Sequence, residues 1–189
     1  MLLLHLLHPD KPMTTLDIRT TVSTDLARLS ALDHTVDTEY VWQLDLHRDP
    51  GQVEVGLREV RLPRTIRLAH PRPANELPDT WHIRPMLSAM LGLEAVAYVR
   101  FSDIFVPHAV WITDVVVGKP LRGQGLARKL ISSAEAWGLQ RGLRKAIIEV
   151  QSKNAPAIRM IQKLGFEFCG YNDQYYATRD VALFFSRSI

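Results

Sequence analysis

The segment Val115-Val116-Val117-Gly118-Lys119-Pro120-Leu121-Arg122-Gly123-Gln124-Gly125-Leu126-Ala127-Arg128 limits the fold more than any other, because an apolar run passes through a basic, glycine-bearing turn into a helix. The valine run predicts a buried strand. Glycines without Cβ let backbone N–H groups close on an anion, and the start of the next helix adds unpaired donors and a positive dipole end. The turn therefore reads as a phosphate cradle, with Arg122 and Arg128 adding charge beside it. Spacing argues against two nucleotide motifs. A Walker A loop needs Lys and Ser/Thr where Gln124 and Gly125 stand, and a dinucleotide fingerprint needs a third glycine where Arg128 stands.

The flanking pattern extends this unit in both directions. Leu126, Leu130, Ile131, Ala134 and Trp137 recur at three and four, predicting a helix from Gly123 to about Gln140 that Arg141 and Gly142 end. Lys145 to Gln151 reads as a central strand joined through that helix, hence parallel to the strand at 109–117. Asn154 caps a further helix, which tolerates Pro156 in its first turn and stops at Gly165-Phe166. Upstream, strands are predicted at 16–21, 53–62 and 93–101, the last forming a hairpin with 109–117. Ser23 or Thr24 caps a short helix with Leu26, Leu29 and Leu32 inward, and residues 33–47, carrying Tyr40 and Trp42, suggest a second. Residues 63–85, with Pro71, Pro73 and Pro78, read as a long irregular connection, a candidate wall of a functional site or an insertion. Strands at 168–176 and 181–188 close the chain.

With 189 residues, 47% of them hydrophobic, one domain over 14–189 is expected, with residues 1–13 as an extension. The opening Leu-rich run is too short to span a bilayer and lacks a signal peptide's basic start, so no membrane partner is expected. A net charge of +3, spread among nearly equal numbers of acids and bases, gives no nucleic-acid footprint. The single Cys169 fits a reducing cytoplasm, and the seven histidines never fall at ligand spacing, so no metal is expected.

Two ordered motifs carry a family resemblance. Arg122, Gly125 and Ala127 give Arg-x-x-Gly-x-Ala after the apolar strand, and Asn154, Ala157, Gly165 and Phe166 match Asn-x-x-Ala-x-x-x-Tyr-x-x-x-Gly-Phe about thirty residues on. The chain resembles the GNAT superfamily of acyl-CoA-dependent N-acetyltransferases, and Glu149-Val150-Gln151 with the tail Ala182-Leu183-Phe184-Phe185 is similar to its streptothricin acetyltransferase branch. The resemblance implies an α/β (α+β) fold: a mixed, mostly antiparallel central sheet of about seven strands with a splayed parallel pair, flanked by helices. It implies acetyl-CoA as co-substrate and a small-molecule amine as acceptor, in a cytoplasmic enzyme for which a homodimer is allowed. Val115, Val116 and Val117 would then pair with the pantetheine arm. The pyrophosphate would rest on Arg122, Gly123, Gln124, Gly125, Leu126, Ala127 and Arg128, with Asn154 and Ala157 completing the cofactor side. Glu39, Tyr40 and Trp42 become acceptor-side candidates by the same analogy.

The chemistry adds its own demands. An alkyl ammonium must lose a proton before attacking a thioester. Asp114 and Glu149 are the carboxylates within the central strands, and each is expected to be partly desolvated by its sheet neighbours: Ile112 and Val116 for Asp114, Ile147 and Gln151 for Glu149. Each could equally pair with an arginine. The departing thiolate takes a proton, but the tyrosine of the second motif is here Ile161, which leaves Tyr171, Tyr175, Tyr176 or solvent as donors. Ile161 also keeps open a non-catalytic acyl-CoA-binding module.

Overall fold

The computed structural model describes residues 16–189, so the extension assigned to 1–13 lies outside the described residues. Among these residues nine strands, β1 (Leu16–Thr20), β2 (Val36–Asp49), β3 (Gln52–Leu68), β4 (Met86–Leu91), β5 (Glu94–Ser102), β6 (Ala109–Val117), β7 (Lys145–Gln151), β8 (Glu167–Asn172) and β9 (Ala182–Ser188), are interspersed with four helices. These are α1 (Leu26–Ser30), α2 (Leu77–Thr80), α3 (Leu126–Leu139) and α4 (Ala155–Lys163). Seven strands form one sheet in the order β1-β4-β5-β6-β7-β9-β8, and β2 and β3 form a separate hairpin. Every neighbouring pair of the large sheet is antiparallel except β6 and β7, which α3 joins as a crossover.

Two cores follow from strand alternation. On one face, Leu126, Leu130, Ile131 and Ala134 of α3 and Ile158 and Ile161 of α4 pack on Val99, Ile112, Ile148 and Phe185. On the other, Leu26 and Leu29 of α1 and Leu77 of α2 cover Ala95, Tyr98 and Val116. The first face also holds an ion pair: Arg187 donates to both carboxylate oxygens of Glu135 and to the carbonyl of Leu164, tying β9 to α3 and to the end of α4.

Three sequence expectations change. Residues 33–47 enter a strand, not a helix: β2 pairs antiparallel with β3 through the two-residue Pro50-Gly51 turn, where Gly51 adopts φ +80°. Pro63, which suggested an irregular stretch, sits inside β3 at the register shift opposite Thr38 and Tyr40, where a bulge removes the need for its missing N–H. The connection therefore begins only after Leu68, and its end is the unforeseen strand β4, which takes the place in the large sheet expected for 53–62. Asp114 does not share a face with Ile112. The β5–β6 register jumps from Arg100↔Asp114 to Phe101↔Ile112, and the extra residue, Thr113, resets the alternation so that Asp114 and Val116 face α1 and α2 while Ile112 faces α3.

Within α3, Leu130 is fully buried and Leu139 is 44% exposed. Leu130→Ala should therefore lower unfolding free energy by about 2–5 kcal/mol in a denaturant titration, against well under 1 kcal/mol for Leu139→Ala. Equal losses would mean that α3 does not pack as described.

Candidate active site

The parallel pair comes apart, as the family resemblance implies. Register between β6 and β7 runs only from Ala109↔Lys145 to Ile112↔Ile148, so β6 beyond Ile112 has no strand neighbour on that edge. Two arginines take carbonyls along the open edge: Arg72 Nη1 donates to the Thr113 oxygen at 3.0 Å, and Arg122 Nε to the Val117 oxygen at 2.9 Å. Alternation along a strand then leaves Val115, between them, with both backbone groups turned to the gap.

At the end of β6 the chain turns through Gly123 and Gly125, both in the left-handed region at φ +76° and +79°, which side-chain-bearing residues rarely adopt. A Cβ at either position would meet no atom within 4 Å, so the surface over the turn is open. Among the described residues no carbonyl accepts from the amides of Gly123 to Arg128; the first bond of the helix is Lys129 N–H to the Gly125 oxygen at 3.2 Å. A cavity of about 590 Å³ adjoins them, lined by Ile18, Gly125, Arg128, Lys129, Ser132 and Ser133. Six consecutive free donors at a helix start, with two cations beside them, suit a pyrophosphate. A second cavity, about 750 Å³, lies at the β1–β4 edge and includes Arg19 and Asp25, which pair with each other.

Arg122 does not reach outward as expected. Besides Val117, its guanidinium donates to the carbonyls of Thr35, at 2.7 Å, and Asp33, while its own amide bonds Lys119. It fastens the turn to the segment before β2. Asn154 and Ala157 are likewise engaged with each other, the Asn154 side chain capping α4 by accepting the Ala157 amide at 3.2 Å.

On the opposite face, where β6 and β7 part, four charges meet. Arg72, from the connection after β3, donates to Asp114 at 3.2 Å and also to Glu149, while Arg100 Nε reaches the second oxygen of Asp114 at 2.7 Å. Thr113 Oγ1 also donates to Asp114 at 2.7 Å. Burial alone would push the Asp114 carboxyl up, as expected from sequence, but Arg72 and Arg100 reverse the sign and hold it at about 2. Glu149 accepts from Arg72, from Trp111 Nε1 at 2.7 Å and from the Tyr175 hydroxyl at 3.1 Å. Burial and the neighbouring Glu149 raise both Tyr175 and Tyr176, so both phenols stay protonated at neutral pH. Tyr176 is buried, with Arg72 5.7 Å from its ring centre; Tyr175 is 38% exposed. His70 stands 3.5 Å from Asp114, and its burial holds the imidazole below its usual value.

The acceptor-side candidates lie elsewhere. Trp42 donates its amide to the Ser152 oxygen at 2.8 Å and packs on the α3/α4 core. The Tyr40 ring lies 4.4 Å from the Arg159 guanidinium, itself bonded to both oxygens of Glu59, and Glu39 accepts from Thr65. The Arg159 and Ser152 contacts dock the hairpin on α4 and the turn before it, while the Glu39–Thr65 bond lies within the hairpin. Sequence reasoning missed Arg72, Arg100 and Trp111. The Pro71-Arg72-Pro73 triplet, stiffened on both sides, was a signal for Arg72, and an arginine in the strand paired with the one carrying Asp114 was a signal for Arg100.

Comparison with known proteins places this geometry. The model of the acetyltransferase (GNAT) family matches residues 57–166. Streptothricin acetyltransferase of Streptomyces lavendulae is 32% identical over 87 residues, 46% of this chain and 43% of that protein. Its namesake in Escherichia coli is 38% identical over 68 residues, covering 36% and 39%. The chain thus spans less than half the length of these curated relatives. The crystal structure of nourseothricin acetyltransferase superposes with a TM-score of 0.76 at 26% identity, covering 92% of this chain and 98% of that one. A putative streptothricin acetyltransferase from Bacillus anthracis, solved with acetyl coenzyme A, shares the fold at TM-score 0.72 and 18% identity, covering 93% and 100%. With the family model covering more than half its length, its parallel strands parted and a glycine turn of free amides at their end, this chain belongs to the GNAT family of acetyltransferases.

Proposed function

We propose that the protein transfers the acetyl group of acetyl-CoA to a primary amine of a small molecule. The observation that carries this reading is the run of amides from Gly123 to Arg128, without acceptors and adjoining the gap between β6 and β7. Bound acetyl-CoA supplies a thioester already activated for transfer. The cradle would hold its pyrophosphate, with Arg128 and Lys129 lining the adjoining cavity, and Val115 would hydrogen-bond its extended arm. Relatives named for streptothricin and nourseothricin support a small-molecule acceptor.

Within the cleft, the carboxylates divide their roles. Asp114, held at about 2, is a poor proton acceptor and acts as the fixed anion that keeps Arg72 and Arg100 in place. Glu149 is the carboxylate assigned to the amine's proton: both carboxylates are buried, but Asp114 is paired with two arginines, whereas Glu149 shares one of them and is bonded to Tyr175, which is partly exposed. Tyr175, protonated at neutral pH, is the phenol assigned to the departing thiolate, because the tyrosine position of the second motif is held by Ile161, which is buried in the core.

Calorimetric titration with acetyl-CoA should give saturable binding, and Arg128→Glu should raise Kd about tenfold at low salt, an effect that shrinks as salt screens the exposed charge. Absence of binding at high micromolar concentration refutes the reading; binding without thiol release across an amine panel that includes streptothricin would instead favour the acyl-CoA-binding module. Glu149→Gln should lower kcat about a hundredfold, and an unchanged kcat removes its role. Asp114→Asn should act on stability. The Asp114 carboxyl is depressed from 3.8 in the unfolded chain to about 2, so its contribution is full above about pH 4 and fades as pH falls through 2. The melting temperatures of variant and parent should differ most at neutral pH and converge over that window.

A further inference from the structure

The charges under the cleft balance except for one. Arg72 and Arg100 are offset by Asp114 and Glu149 through direct contacts, and His70 is held neutral by its burial. Arg84, at the end of the same connection, is partly buried among them yet makes no salt bridge and no side-chain hydrogen bond among the described residues. Its guanidinium stacks 4.5 Å from the centre of the Phe105 ring, and Phe105 meets Trp111 edge to face at 6.1 Å. Trp111 in turn bonds Glu149 and abuts Phe184, on which Tyr175 also packs. Burial disfavours the charge on Arg84, and so do nearby Arg100 and Arg72, against the opposite pull of Asp114 and Glu149. Phe105 is 43% exposed and Tyr175 38%, so the aromatic surface around it is open. A cation stacked on an exposed ring, with five donors, no acceptor and like-charged neighbours already neutralised, is a site for an anion. It lies toward the start of β6, whereas the phosphate cradle lies beyond its end, so this anion is not the coenzyme's pyrophosphate.

We propose that Arg84 selects the acceptor by binding a carboxylate carried on the same molecule as the reacting amine. The aromatic wall of Phe105, Trp111, Phe184 and Tyr175 takes the carbon skeleton between the two groups. The idea rests on the transferase reading for what an acceptor is, but the anion site itself does not need turnover.

The test offers the full chain matched compounds that differ only by a carboxylate: lysine and cadaverine, β-alanine and ethylamine, phenylalanine and phenethylamine. The Arg84 Nε–H resonance is followed by NMR with acetyl-CoA absent and present, and thiol release is measured in parallel. At least one carboxylate member should shift that resonance saturably while its decarboxylated partner does not, and that member should be turned over roughly tenfold or more faster than its partner. Arg84→Gln should collapse the turnover ratio toward one, and Arg84→Lys, which keeps the charge but not the fork, should retain part of it. No shift with any carboxylate member at high millimolar concentration, or equal shifts within every pair, overturns the proposal. A selective shift without thiol release from any compound leaves the anion site standing and counts against the transferase reading alone.

Discussion

Arg72 holds the site together. It arrives on a connection with no regular strand, between two prolines, and places one guanidinium across the point where β6 and β7 part, with Asp114 on one side and Glu149 on the other. Two carboxylates buried this deeply would each cost several kcal/mol if left alone, and so would a buried arginine; together with Arg100 they form a neutral group whose members satisfy one another. The charged group ties the connection to both strands at the point where they part, beside the anchor that buried Leu77 of α2 gives it in the core. The gap for the coenzyme arm and the floor of the acceptor cleft are thus two sides of one electrostatic arrangement.

At the other end of β6 a second arginine does comparable work with different chemistry. Among the described residues Arg122 makes no ion pair within bonding distance; its donors go to the carbonyls of Val117, Thr35 and Asp33. Backbone oxygens at a strand end lack regular partners, and leaving three of them unpaired would cost more than the charge gains elsewhere. The turn is therefore rigid on its inner side, where Arg122 pins it, and unsatisfied on its outer side, where the amides of Gly123 to Arg128 face the open surface. Rigidity beneath and free donors above reduce the ordering cost of binding an anion there.

The C-terminal half was readable because its signals are local. A valine run, a glycine pair, helical spacing and an Asn cap each act within a few residues, and they return as β6, the turn, α3 and α4. What sequence could not supply depended on pairings distant along the chain. Whether Asp114 is a base or an anchor turns on Arg72, forty-two residues away, and on a bulge at Thr113 that no alternation rule anticipates. The same limit explains β2: its residues look helical until the Pro50-Gly51 turn sets β3 against them, and only then does each apolar side chain acquire a partner. The residues taken by analogy from 39–42 stand, for the same reason, on a strand docked against Arg159 and Ser152 and not on a helix.

The family signature and the acceptor cleft therefore come from different parts of the chain, with different freedom to change. The cradle and the splayed pair rest on backbone geometry that a pyrophosphate and an extended thioester arm require of any member, and side chains there mostly brace the backbone, as Arg122 and Asn154 do. The acceptor face proposed for this chain is instead built by side chains from the connection after β3, the start of β6 and the segment between β8 and β9, namely Arg72, Arg84, Trp111 and Tyr175. Exchanging one of these leaves the sheet intact while altering the sign of charge or the shape above Glu149. Relatives can thus share the fold closely and still take acceptors of different charge, and the residue whose charge remains unbalanced, Arg84, is where such a difference would be felt first.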